Sequence, residues 1–94
     1  MTVKFNISLG LTDGTQMNLT SEGFKGLSYY ALTFDNADAA QAAFDAIDAS
    51  SLIADGFKGY HVAEIWLIAH VLVGDEIESK IVAEKSVTVD TLAA

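Results

Sequence analysis

The sequence predicts an α+β domain, in which a mostly antiparallel β-sheet of about five strands carries one α-helix on one face. Two observations lead to this prediction. Segments in both halves of the chain alternate apolar and polar residues as strands do, and an alanine-rich stretch between them has helical spacing. The predicted order is β-hairpin, strand, helix, β-hairpin. The 94 residues correspond to one domain, residues 1–94.

The first predicted hairpin rests on the alternation at the start of the chain. Its apolar positions are Val3, Phe5, Ile7, Leu9 and Leu11. A two-residue Asp13-Gly14 loop would place Leu9 opposite Asn18 and mix the two faces. A three-residue loop, with Gly14 in the left-handed region, places Leu9 opposite Met17 instead. The hydrophobic pattern therefore favours the three-residue loop, since a one-residue slip turns every side chain to the other face.

The middle of the chain predicts a loop, a strand and a helix. We expect Ser21–Gly26 to be a glycine-bounded loop and Leu27–Phe34 to be the third strand. Asp35 or Asn36 is the expected cap of a helix over Ala37–Ala49. The apolar face of this helix is formed by Ala40, Ala43, Phe44 and Ile47. Its many alanines favour helix and allow close approach to a sheet.

The segment His61–Val73 fits a helix as well as a strand. It is rich in Val and Ile and ends at Gly74-Asp75, a two-residue hairpin signal, so we predict a strand paired with the chain from Glu76 onwards. The predicted cross-strand pairs are Leu72 with Ile77, Ile68 with Ile81 and Glu64 with Lys85. The last of these would be a favourable charge pair.

This central strand is apolar on both faces, while a single helix covers only one face of the sheet. We expect its odd-numbered face to be uncovered, and this face consists of Ile65, Leu67, Ala69, Val71 and Val73. An exposed apolar surface of this size is typical of a protein–protein contact. Ile65, Leu67 and Val71 are therefore candidate interaction residues, and a homodimer is the first expectation because two-fold contacts are the commonest.

The tetrapeptide Gly-Phe-Lys-Gly occurs twice, at Gly23–Gly26 and Gly56–Gly59, each time after an acidic residue. One interpretation is a pair of recognition loops that present Phe24, Lys25, Phe57 and Lys58 to a partner. The other is structural: the glycines provide unusual backbone angles and the two phenylalanines fill the core. The flanking sequences differ, so the chain is not a duplicated domain.

Acidic residues outnumber basic ones by 13 to five, which gives a net charge of −8. Such a surface repels phosphate groups and anionic lipids, so we expect neither direct nucleic-acid binding nor membrane binding. Asp38, Asp45 and Asp48 share the polar face of the predicted helix. They are either a solvated face or the site of an acidic inhibitor, which imitates nucleic acid and blocks a basic protein.

Catalytic and cofactor motifs are not found in the sequence. The chain has no cysteine, which fits a reducing, cytoplasmic compartment. His61 and His70 are nine residues apart, so one strand would hold them on opposite faces and they could not share a metal ion. A ligand or enzyme pocket near Trp66 and His70 remains an alternative. The leading expectation is a non-enzymatic protein, without cofactor or metal, that binds a protein partner or itself.

Overall fold

The computed structural model describes residues 2–26, 30–57 and 62–89. They form one five-stranded antiparallel sheet with two helices, which confirms the predicted α+β class. The elements are β1 (Thr2–Leu11), β2 (Gln16–Thr20), β3 (Gly23–Gly26), α1 (Ala37–Asp45), α2 (Ala49–Ala54), β4 (Val62–Val73) and β5 (Glu76–Thr88). The strand order is β3-β2-β1-β4-β5, so β3 and β5 are the two edges.

The first hairpin has the predicted register. Leu9 lies opposite Met17, and Gly10 lies opposite Gln16. Gly14 has φ of 89°, and its amide donates to the carbonyl of Leu11 at 2.9 Å. The three-residue loop is therefore confirmed, for the reason given above: it keeps the apolar residues of β1 and β2 on one face.

The third strand lies earlier than predicted. Gly23–Gly26, expected to be a loop, is β3 and pairs with β2, with Phe24 opposite Leu19. The two central residues of the turn between these strands, Ser21 and Glu22, are neither glycine nor asparagine, and Gly23 follows them with φ of 99°. Thr20 also stabilises the turn, because its hydroxyl donates to the carbonyl of Gly23 at 2.7 Å and accepts from the amide of Glu22 at 3.2 Å.

The prediction of a strand over Leu27–Phe34 is wrong. Residues 27–29 lie outside the described residues, and residues 30–33 are not in a strand. Phe34 makes only an isolated bridge to Phe5, with both backbone hydrogen bonds at 2.9 Å. It occupies the side of β1 that the short strand β2 leaves unpaired. Tyr30 is 97% exposed, whereas Phe34 packs against the core.

The single helix predicted over Ala37–Ala49 is in fact two helices. Asn36 caps α1, and its side chain accepts from the amides of Asp38 and Ala39 at 2.7 and 3.1 Å. Asp48 adopts an extended backbone and caps α2 by accepting from the amide of Ser51 at 3.0 Å. An aspartate that bonds a nearby amide competes with helix continuation, which explains the break.

The second hairpin is confirmed in the described residues of β4 and β5. Leu72 lies opposite Ile77 and Ile68 opposite Ile81, as predicted. A bulge follows, because Leu67 pairs with Ala83 and Val82 is the extra residue. The predicted Glu64–Lys85 pair is therefore wrong. The bulge shifts the register so that Glu64 faces Ser86 and Ile65 faces Lys85.

Both helices lie on the face of the sheet that carries the odd-numbered residues of β1 and β4, here called the helix face. The core on this face includes Ile7, Leu9, Phe44, Leu52, Ile65 and Leu67, all 4% exposed or less. The expectation that the odd-numbered face of β4 is uncovered is therefore wrong for Ile65, Leu67 and Ala69. The opposite surface, with Trp66, Ile68, His70 and Leu72 of β4, is here called the open face.

The first prediction concerns Gly14. No atom lies within 4 Å of a Cβ built at this position, so its substitution tests backbone strain alone. We expect Gly14→Val to lower the free energy of unfolding by about 1–2 kcal/mol, because φ of 89° is costly for a β-branched residue. Gly26→Val is the matched control, since Gly26 has equal space and no positive φ. Equal effects of the two changes in urea denaturation would contradict the strain argument.

The second prediction concerns Asp48. The backbone hydrogen bond from Ser51 holds the pKa of this carboxyl below its ordinary value of 3.8. Its stabilising effect is thus present above the unfolded-state pKa and is lost as pH falls through the lower folded-state pKa. We expect Asp48→Ala to destabilise the chain at neutral pH, and this difference from wild type to shrink below about pH 4. Asp48→Asn keeps the capping oxygen and should retain stability at neutral pH. A pH-independent difference between wild type and Asp48→Ala, measured by thermal unfolding, would overturn this assignment.

Candidate interaction surface

The end of the second hairpin is the most exposed apolar part of the described structure. Residues 70–82, here called the outer hairpin, extend beyond the part of β4 on which the helices pack. The exposed fractions of its large aliphatic side chains are Leu72 44%, Val73 48%, Ile77 68%, Ile81 53% and Val82 46%. Exposed aliphatic residues grouped in this way are uncommon on a monomeric protein and are typical of contact surfaces.

On the open face, two aliphatic pairs of the second hairpin flank one polar pair. Leu72 with Ile77 is one aliphatic pair, and Ile68 with Ile81 is the other. His70 and Ser79 lie opposite each other between them. The helix face of the outer hairpin is also accessible, with a hollow of about 530 Å³ lined by Val71, Val73, Glu78, Ser79 and Lys80.

A chain of side-chain hydrogen bonds crosses four strands of the open face, and we call it the polar chain. Its members are Ser79, His70, Asn6, Ser8 and Asn18. His70 Nδ1 lies 2.6 Å from the Ser79 hydroxyl, and Nε2 bonds to Oδ1 of Asn6. Asn6 Nδ2 donates to Ser8 Oγ at 3.3 Å, and Ser8 donates to Asn18 Oδ1 at 2.7 Å.

The polar chain has one consistent direction. Because Asn6 Oδ1 can only accept, His70 donates to it from Nε2, and in the neutral imidazole Nδ1 then accepts from the Ser79 hydroxyl. Asn6 is only 6% exposed, and its partners satisfy the polar atoms that burial would otherwise make costly. The polar chain thus ties β2, β1, β4 and β5 together beside the outer hairpin. Glu78 is not part of this chain of bonds, because it lies opposite Val71 rather than His70.

A hydroxyl, an imidazole and an amide in line also occur in the nucleophile–base sets of hydrolases. Such a set needs a substrate cleft and an oxyanion-binding position beside it. Three hollows adjoin Trp66, of about 260–280 Å³ each, and His70 lines none of these three. The hydrogen bonds of His70 therefore have a sufficient structural explanation in the polar chain.

Trp66 lies across the open face above Gly10. A Cβ built on Gly10 would lie 2.5 Å from Cη2 of the indole, so the ring occupies the space that any side chain would fill. Trp66 pairs with Glu84 across the strands and follows Glu64 on the same face. This aromatic surface with flanking carboxylates is the feature nearest to a small-ligand site among the described residues.

The phenylalanines of the two Gly-Phe-Lys-Gly copies meet inside the molecule. Phe24 and Phe57 are 4% and 6% exposed, and their rings pack edge to face with centroids 6.2 Å apart. Gly23 and Gly56 have φ of 99° and 96°. These observations support the structural interpretation, in which the phenylalanines fill the core. Lys25 is partly exposed on β3, and Lys58 lies outside the described residues.

The candidate acidic residues have separate local roles. Asp38 lies in the first turn of α1, Asp45 accepts from the Gln41 side chain at 2.9 Å, and Asp48 caps α2.

Ile65 and Leu67 are 0% and 2% exposed, so neither can contact a partner without unfolding, whereas Val71 is partly exposed. The sequence does not predict Leu72, Ile77 and Ile81 as surface residues. No local signal identifies them, because the face of β4 that shares the core with the apolar face of β1 depends on the register between these two strands.

Comparison of the chain with protein-family models, with curated proteins and with solved structures found no match. Within the described ranges, no helix has the length and apolar character needed to cross a membrane. The same ranges contain no group of three or more His, Cys, Asp or Glu residues placed to hold a metal ion.

The third prediction concerns the contact of Trp66 with Gly10. We expect Gly10→Ala to displace the indole, because the added methyl group would lie 2.5 Å from the ring. Trp66 is the one tryptophan of the chain, so its fluorescence reports the change directly. The emission maximum should shift to longer wavelength as the ring becomes more exposed. Gly26→Ala is the control, and an unchanged spectrum for Gly10→Ala would refute the described packing.

Proposed function

We propose that this chain is a small, non-enzymatic, self-assembling protein that associates through its outer hairpin, with a homodimer as the first state. One observation carries the proposal: five large aliphatic side chains of one hairpin are 44–68% exposed. Removing apolar surface from water is worth about 25 cal/mol per Å2, so burial of this group contributes several kcal/mol to association. That gain competes with the entropy lost on association.

A second copy is the partner that fits this surface with the fewest assumptions. A two-fold contact uses the same patch on both copies, so one apolar surface is covered by another. The net charge of −8 on each copy opposes approach at low ionic strength. Added salt screens this repulsion and leaves apolar contacts in place, so the dimer should strengthen as salt is added.

Two other functions receive less support from the structure. An acidic inhibitor would need its carboxylates free to face a basic protein, whereas Asp48 is engaged in capping α2 and Asp45 in a bond from Gln41. A ligand site at Trp66 would use open hollows of about 260–280 Å³. Most small-molecule sites are more enclosed than an open sheet face.

The fourth prediction tests the proposal by sedimentation velocity over a range of concentrations. We expect wild type to form dimers in the micromolar range. Ile77→Asp should weaken association by on the order of 2 kcal/mol or more, since both copies lose a buried aliphatic side chain. Tyr30→Asp is the matched control, because Tyr30 is 97% exposed outside the outer hairpin. It should leave association unchanged.

Circular dichroism of both variants separates loss of association from loss of folding. A folded wild-type monomer at high micromolar concentration would refute self-assembly. Equal weakening by Ile77→Asp and Tyr30→Asp would place the contact elsewhere on the molecule. Capture of a basic protein by the wild type, with affinity that falls steeply as salt rises, would instead favour the acidic inhibitor.

A further inference from the structure

Strand β5 is an edge of the sheet, and its sequence beside the turn is self-complementary. Ser79 is the centre of the pattern. Glu78 and Lys80, of opposite charge, are its immediate neighbours, and Ile77 and Ile81 are the next residues on either side. We infer that two copies join edge to edge through β5, antiparallel, with Ser79 on the two-fold axis. This inference rests on the proposed function and specifies the contact.

This register places complementary side chains opposite each other across the seam between the two copies. With Ser79 on the axis, Glu78 lies opposite Lys80 of the second copy, and Ile77 lies opposite Ile81 of the second copy. The two-fold axis repeats each pair, so the seam contains two ion pairs and two aliphatic pairs. Pairs of both kinds stabilise antiparallel strands when directly opposite, whereas like charges there are destabilising.

The backbone of β5 supports the same register. Opposite residues in an antiparallel ladder alternate between hydrogen-bonded and non-hydrogen-bonded pairs. Val73 and Glu76 close the two-residue turn and form a hydrogen-bonded pair. The alternation that starts there makes non-hydrogen-bonded pairs with β4 of Ile77, Ser79 and Ile81. Their amides and carbonyls therefore point to the free edge. In the inferred register these same residues face each other across the seam, so their backbone groups can bond.

The same register also makes the aliphatic surface continuous across the seam. On the open face, Leu72 and Ile77 of one copy would continue into Ile81 and Ile68 of the other. The two copies together would form two aliphatic rows that cross four strands, with the His70–Ser79 pairs between them. Exposed Leu72, Ile77 and Ile81 would thus gain apolar neighbours without any movement of the sheet.

The contact has natural limits at both ends. The Gly74-Asp75 turn ends β5 on one side, and the bulge at Val82 interrupts its regular ladder on the other. Between them lies a regular segment over Glu76–Ile81. Charges on an edge strand also serve to prevent unwanted pairing. If the charges of β5 serve only to prevent pairing, their removal should strengthen association, whereas the inferred register predicts that their removal weakens it.

The fifth prediction uses cysteine cross-linking in a chain that has no cysteine of its own. In the inferred register, opposite Cα atoms of a hydrogen-bonded pair are about 5.5 Å apart, within disulfide range. Under oxidation, the Ser79→Cys variant should form a covalent dimer with itself, without a second variant. The Ile77→Cys variant and the Ile81→Cys variant should not cross-link by themselves, because the same position in the two copies would be displaced by about 13 Å along the strands. The two variants should cross-link when they are mixed.

Charge reversal tests the same register without cysteine. Glu78→Lys places lysine opposite Lys80, and Lys80→Glu places glutamate opposite Glu78, so each should weaken the homodimer by about tenfold or more at low salt. Mixed together, the two variants should associate as strongly as wild type. Their net charges are −6 (−8 + 2) and −10 (−8 − 2), so general attraction cannot explain the rescue. Glu84→Lys is the control, with the same charge change beyond the bulge.

The outcomes distinguish this inference from the proposed function. A monomeric wild type refutes both. A wild-type dimer without Ser79→Cys cross-linking and without rescue by mixed charge variants refutes the β5 register and leaves self-assembly standing. Stronger association of the double variant Glu78→Gln with Lys80→Gln would show that the charges protect the edge, and would also overturn the inference. If Ser79→Cys fails to fold, the charge variants decide alone.

Discussion

The pairing of β1 with β4 is the constraint on which the rest of the structure depends. Ten residue pairs join the two strands, from Thr2 with Leu72 to Leu11 with Ala63. In this register Leu9 faces Ile65 and the odd-numbered residues of both strands share one surface. Because β1 has only one apolar face, the pairing decides which face of β4 is core. The helices then cover that surface, and Phe24 of β3 belongs to the same core.

The same pairing gives the open face both polar and apolar side chains. The polar even-numbered residues of β1 are brought beside Trp66, Ile68 and His70 of β4. Gly10 provides room for the indole, and Asn6 bonds His70. On the other side of β4, β5 is attached to the helix layer, since Lys85 donates to the carbonyl of Phe44 at 2.6 Å and lies 4.7 Å from the centre of its ring.

The proposed interaction surface has two origins: Leu72, Ile77 and Ile81 lie on the open face, and Val73 on the helix face lies beyond the reach of the helices. The second hairpin has strands of 12 and 13 residues, whereas α1 and α2 have nine and six. The short helices bury β4 only as far as Ala69, and beyond it Val73 is 48% exposed. Among the described residues, these aliphatic side chains are therefore left exposed, and the outer backbone groups of β5 face no other strand.

The sequence by itself determined the fold class, both long hairpins and the register of their turns. It could do so because alternation, Gly14 and Gly74-Asp75 act locally, over a few residues. It could not locate β3, because its turn depends on the hydroxyl of Thr20, or the helix break, because Asp48 can serve a helix interior or a cap.

Only the tertiary structure decided which face of β4 is buried, where the bulge falls, and that Phe24 and Phe57 meet in the core. These features depend on contacts between residues far apart in the chain, such as Leu9 with Ile65. A strand that is apolar on both faces carries no local sign of the side on which the helices will pack. The exposed aliphatic residues of the candidate surface could be listed from the sequence, but their exposure follows from that choice of side.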